Sequence, residues 1–308
     1  MRGVLNLHRV LRDKVIYSMA PQHPAVLEVN EGDVLTFETD DCFGSQILRP
    51  GDRFEKIGWD RINPATGPVA VKGATPGDIL AVHILSIRVR NQGVMVTVPE
   101  MGVLGDRFKT SSTKLIPIKD RMAIFSETIK LPIDPMIGVI GTAPASDDVP
   151  CGTPGPHGGN LDCRMIKEGS TIYLPVAVTG AMLAMGDLHA LMGDGEVLIC
   201  GVEITGEVDV KLQLIKQAHY PLPLLKTPDK WYAIASAQTL DQAADMATRQ
   251  MADILTKINQ VSNEDAGMLM SIAGHLEVCQ VVDPLKTARF SMPVSILSSL
   301  GVRMPGDK

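Results

Sequence analysis

A recurring turn phrase limits what this chain can fold into. Glu31-Gly32-Asp33-Val34-Leu35, Pro76-Gly77-Asp78-Ile79-Leu80 and Glu168-Gly169-Ser170-Thr171-Ile172 each set a glycine and a polar residue directly before an apolar run. Glycine reaches the backbone angles that tight turns need, and the β-branched residues that follow suit a pleated surface. Short strands opened in this way, with Gly/Pro turns between them, predict a sandwich or barrel-like core over the first two thirds of the chain. Aromatic residues make up only 4% of the sequence, so that core must rest on aliphatic side chains and methionine.

The period changes after residue 238. Leu240, Ala244, Ala247, Met251, Ile254 and Ile258 recur at three- and four-residue spacing, which makes one apolar helical stripe. Thr239 with Gln242 has the spacing of a capping box and predicts the helix start. A second helix is expected over about 264–273, stopped by Gly274 as a glycine cap, with a return to strand over 276–282. The fold class is therefore mainly β with added helices (α+β): a β-sandwich or jelly-roll-like core with a C-terminal helical pair. Pro221, Pro223 and Pro228 suggest a break that separates a core of residues 1–216 from a helix-containing part, 217–308. That part is expected to pack on the same core, as one compact unit or as two lobes.

Charge and cysteine usage exclude several functions. A net charge of -6 without a basic run argues against nucleic-acid binding. Five scattered cysteines with no Cys-x-x-Cys pair argue against a zinc ribbon or a disulfide framework and fit a reducing, cytoplasmic setting. The apolar stretch 173–192 is broken by Pro175, Gly180 and Gly186 and contains Asp187 and His189, so a membrane span is not expected.

The densest polar constellation lies between residues 141 and 207. Gly155-Pro156-His157-Gly158-Gly159-Asn160-Leu161-Asp162 is a loop that holds backbone close to something, and His157 and Asp162 are of metal-ligating type. A tight turn with a surface histidine explains the same spacing. If 187–189 is extended, Asp187 and His189 point to one face and can grip one ion, or the acid can orient the imidazole. The run 197–204 reads as a strand apolar on both faces until Glu203. A carboxylate buried there costs several kcal/mol, roughly, unless it is paired, protonated or bound to a cation. Asp41, at the end of the strand opened by Val34, can face a site or simply cap a turn. Cys151, before the glycine loop, is a rival nucleophile with His157 as its base. A third reading is a metal- or ligand-binding β-sandwich without catalysis.

Taken in order, these phrases resemble the acetamidase/formamidase family. The resemblance rests on Asn63-Pro64-Ala65-Thr66-Gly67-Pro68, Gly77-Asp78, Gly141-Thr142-Ala143-Pro144 and His157-Gly158-Gly159-Asn160-Leu161-Asp162. It is strongest at Gly186-Asp187-Leu188-His189-Ala190, Gly193-Asp194-Gly195-Glu196 and Glu203, and it runs over nearly the whole chain. It implies a β-sandwich with added helices, self-association, and hydrolysis of formamide- or acetamide-like amides to carboxylate and ammonia. It also implies a divalent metal, with zinc expected and calcium the alternative. Asp41, Asp187, His189 and Glu203 are the candidate metal ligands, and Glu203, His157 and Asp162 the candidate catalytic groups. The backbone N–H groups of Gly158 and Gly159 are candidates for stabilising the oxyanion.

Overall fold

Side chains alternate along the strand Ile79–Val89. Ile79 and Ala81 pack into one core, Leu80, Val82 and Ile84 into another, and all five are buried. A strand covered on both faces belongs to the middle of three layers. The computed structural model, which describes residues 7–49, 51–52 and 54–307, shows these layers.

The middle layer is a nine-stranded sheet among the described residues. Its order is Leu7–Val10, Val34–Thr39, Gly206–Ile215, Ile79–Val89, Thr171–Pro175, Leu224–Lys226, Lys230–Ala237, Lys286–Pro293 and His275–Gln280. Only the first two of these neighbours run parallel. A second sheet runs Gly158–Asn160, Met136–Gly141, Leu183–His189, Ala65–Val71 and Val15–Ile16, with Leu27–Val29 alongside Ala65–Val71. Leu35, Phe37 and Val82 of the first sheet meet Val69, Ile137, Met185 and Leu188 of the second in one aliphatic core. The mainly β sandwich expected from the turn phrases is present, and each phrase does open a strand: Val34–Thr39, Ile79–Val89 and Thr171–Pro175.

Helices cover the outer face of the large sheet. Ala247, Met251, Ile254 and Leu255 pack on Trp231, Ala233 and Met292. Helix Leu240–Asp253 begins at a reciprocal cap: the Thr239 hydroxyl accepts from the Gln242 backbone N–H, and the Gln242 side chain accepts from that of Thr239, each at 3.3 Å. The helix then widens into a π-type turn, Ile254–Ile258. Helix Asn263–Ala273 ends at Gly274, but not through a left-handed glycine cap, since φ there is −86°. Glycine serves packing instead: a Cβ would lie 2.5 Å from the Phe290 ring.

Two further expectations change. Residues 197–204 form no continuous strand; the segment is irregular and touches its neighbours through isolated bridges from Glu203 to Val94 and to His189. Residues 173–192 contain the end of Thr171–Pro175 and the whole of Leu183–His189, two strands in different sheets. No helix among the described residues is long and apolar enough to cross a membrane. The large sheet takes strands from both sides of residue 216.

Candidate active site

The second sheet delivers most of the site. Asp187 and His189 stand at the end of Leu183–His189, and Asp162 follows Gly158–Asn160 two places away in the same sheet. Asp187 has φ +57°, an uncommon angle for a residue with a side chain, and it lies opposite an interruption in the register with Met136–Gly141. Gly138 occupies that interruption. A Cβ on it would lie 2.6 Å from both Asp162 Oδ1 and Asp187 Oδ2, so the absent side chain is what lets the two carboxylates meet over the strand.

Three acids converge on one imidazole. His189 Nε2 lies 3.0 Å from Glu203 Oε1, 3.2 Å from Asp187 Oδ1 and 3.8 Å from Asp162 Oδ1. All four residues are buried. Glu203 is fixed at one oxygen, where Oε1 accepts from the Gly201 backbone N–H at 3.0 Å, while Oε2 is buried without a protein partner. Glu196, also buried, completes a group with Asp162 and His189 whose ligand atoms lie within 4.8 Å of one another. Cys42, Asp187 and Glu203 form a second such group beside it. Asp283, from the turn after His275–Gln280, accepts from the Asn160 side-chain amide at 3.1 Å.

So many acids in an oily interior perturb one another. Burial raises Asp162 well above the usual carboxylate range, and the charges of Asp283 and Asp187 add to it. Burial and then Asp162 do the same to Glu196. Burial and Glu196 raise Asp283. Glu203 is pushed up to about 7 by burial, with His189 opposing and Asp187 reinforcing the shift. Burial alone would lower His189, but Glu203 and Asp187 outweigh it and hold the imidazole well above its ordinary value. One cationic imidazole cannot balance five carboxyl groups in low dielectric. Asp162 Oδ1, Glu196 Oε2 and Glu203 Oε2 are each left buried without a partner. This donor set fits a divalent cation.

The cluster forms one wall of a cavity of about 820 Å³, also lined by Tyr17, Phe43, Phe54, Met101 and Ile199. Asp162, Asp187, Glu196 and Glu203 all face it.

The other expected site residues turn to other partners. Asp41 turns its Oδ1 to the backbone N–H groups of Phe43 and Ser45, both at 3.0 Å, and so caps the turn that carries Cys42 to the cluster. Burial, helped by Asp40, raises its carboxyl to about 6 against these hydrogen bonds. His157 does not line the cavity. Its ring lies against the glycine loop, where a Cβ on Gly155 would come 3.1 Å from Nδ1 and one on Gly159 would come 3.0 Å from Nε2. Burial lowers it to about 4. The Gly158 N–H is spent on the Gly155 carbonyl at 3.1 Å, which removes it as an oxyanion donor. Cys151 directs its thiol to the Ile16 carbonyl, and burial pushes it up to about 12, the opposite of what a nucleophile requires.

Cys42, Glu196, Asp283 and Asn160 were not singled out from the sequence. Glu196 had a signal: it ends the Gly193-Asp194-Gly195-Glu196 turn beside an apolar run. Asp194, in the same turn, makes a bidentate pair with buried Arg289 at 2.9 Å for each bond, tying this turn to the strand Lys286–Pro293. Asp283 had no signal, being 80 residues beyond Glu203 in a separate turn.

The comparisons with known proteins agree with this picture. Residues 12–150 and 147–298 match the profile described as the Acetamidase/Formamidase family. The chain belongs to this family. A crystal structure of an acetamidase from Bacillus halodurans superposes with a TM-score of 0.94 at 50% identity, covering 96% of this chain and 100% of that one. A predicted acetamidase/formamidase from Thermoanaerobacter tengcongensis gives 0.95 at 45% identity, covering 97% and 99%. A putative formamidase of Schizosaccharomyces pombe is 27% identical over 262 residues, 64% of this chain and 63% of that protein. The chain thus spans less than two thirds of the length of the curated relatives it matches.

Proposed function

We propose that this acetamidase/formamidase family member hydrolyses a carboxylic amide to carboxylate and ammonia with the help of a bound divalent cation. The observation that carries the reading is the buried convergence of Asp162, Asp187, Glu196 and Glu203 on His189 at the wall of a cavity. Asp162, His189 and Glu196 are the residues that would hold the cation, because they form a compact group and two of them carry partnerless buried oxygens. When bound there, a divalent ion supplies a Lewis acid for the amide carbonyl and for the attacking water.

The chain's own groups handle the protons. Glu203, with Oε1 anchored by Gly201 and Oε2 free, is positioned to take a proton from the attacking water and return it to the departing nitrogen. Its raised pKa suits both halves of that exchange, since an amide nitrogen leaves poorly unless protonated. Asp187 Oδ1 lies 3.2 Å from the same His189 Nε2 that faces Asp162 and Glu203, and so stands beside the cation position as a further acid. Zinc is the first expectation for the cation, calcium the second. Five free, buried thiols suit a reducing compartment such as the cytoplasm, and self-association, which the family resemblance suggested, belongs to the same reading.

The test is ammonia release from short amides by the purified chain and by His189→Ala, with metal content measured on both. Loss of metal and activity together in the variant supports the reading. Full activity in metal-free protein, abolished by Cys151→Ser, would replace it with thiol chemistry.

A further inference from the structure

We infer that the preferred substrate is a primary amide with an apolar acyl group of about six carbons or more, larger than formamide or acetamide. This rests on the amidase reading above and concerns the same cavity. Acetamide has four heavy atoms; at roughly 30 Å³ for each water-sized group it fills about 120 Å³. The cavity measures about 820 Å³, within the range of sites that enclose drug-sized ligands.

The remaining wall has a distinct chemistry. Phe43 and Phe54 stand edge to face, with ring centroids 5.8 Å apart, and Ile62, Met101 and Ile199 continue the surface. Phe43 and Phe54 belong to a small apolar cluster of their own, apart from the sandwich core, and that cluster backs this side of the cavity. The carboxylates therefore fix one end of a substrate, and an alkyl chain or ring leaving the carbonyl carbon meets hydrocarbon. Tyr17, Asp60, Asn63, Thr153 and Lys286 supply further polar groups around the cavity. Formamide offers no hydrocarbon to that wall and acetamide a single methyl, so neither gains much from it.

Each methylene taken from water into such a wall favours binding by about fourfold. Initial rates on formamide, acetamide, butyramide, hexanamide and phenylacetamide should therefore show kcat/KM rising along the series. The four methylenes between acetamide and hexanamide should raise it by roughly two orders of magnitude. Hexanoate should likewise inhibit far more strongly than acetate. Ile199→Ser should lower the hexanamide-to-acetamide ratio of kcat/KM by about tenfold, whichever way the absolute rates move. If acetamide is hydrolysed but hexanamide is no better, the inference fails and the amidase reading stands. If no amide in the series releases ammonia from metal-replete protein, the amidase reading fails and takes this inference with it.

Discussion

At the scale of single residues, Gly138 does the most with the least. Its strand is buried throughout, yet the place a side chain would take is filled by Asp162 and Asp187 carboxylate oxygens. Gly138→Ala forces those oxygens to move by several tenths of an ångström or more, because the added carbon meets both. We expect kcat for amide hydrolysis to fall about 100-fold, the usual cost of an ångström-scale misplacement in a reacting constellation. Circular dichroism should show the strand content retained. An unchanged rate would mean that the two carboxylates act independently of their spacing. Glu203 makes the complementary point: Oε1 is held by the Gly201 N–H and faces His189, while Oε2 is buried without a partner.

At the scale of elements, caps and cross-strand pairs stabilise what the site is hung on. The box at Thr239 satisfies donors at the start of helix Leu240–Asp253, whose apolar stripe covers the large sheet. Thr239→Ala should cost about 1 kcal/mol, read as a lower urea midpoint at unchanged slope. In the large sheet, Asp209 on Gly206–Ile215 is paired with Arg88 on Ile79–Val89 and accepts from Thr36 and Ser86 hydroxyls at 2.7 and 2.9 Å. The Arg88 guanidinium, followed by the hydroxyls, lowers its carboxyl from 3.8 to about 2. A carboxyl depressed in the folded state contributes stability that is complete above its unfolded value and fades as pH falls through the folded one. Between about pH 4 and about pH 2 the protein should therefore lose more stability than Asp209→Asn does. Parallel urea curves for the two proteins across that range would contradict the pairing.

At the scale of the whole molecule, the acid cluster is a point where remote parts of the chain are joined. Residues near 42, 162, 187–203 and 283 come together there from both sheets and from the loops between them. Without a cation, their buried charges oppose one another and the segments they belong to. Removing metal with a strong chelator should lower the melting temperature by about 5 °C or more and abolish amide hydrolysis, and zinc or calcium should restore both. Calorimetry beside elemental analysis checks this. An unchanged melt in verified metal-free protein would mean that protonation alone satisfies the cluster.

The sequence by itself determined the local elements and part of the chemistry. The turn phrases opened strands, Thr239 and Gln242 started a helix, and Asp187, His189 and Glu203 stood out as polar groups inside oily runs. These depend on short-range sterics and on the cost of burying charge, which a linear pattern records. Only the tertiary structure decided that Cys42 rather than Asp41 faces the cluster, that Glu196 and Asp283 join it, that His157 turns into its glycine loop, and that a large half-apolar cavity lies in front. Those outcomes depend on strand register and on how two sheets stack, and contacts between segments a hundred residues apart leave no period in the sequence to read.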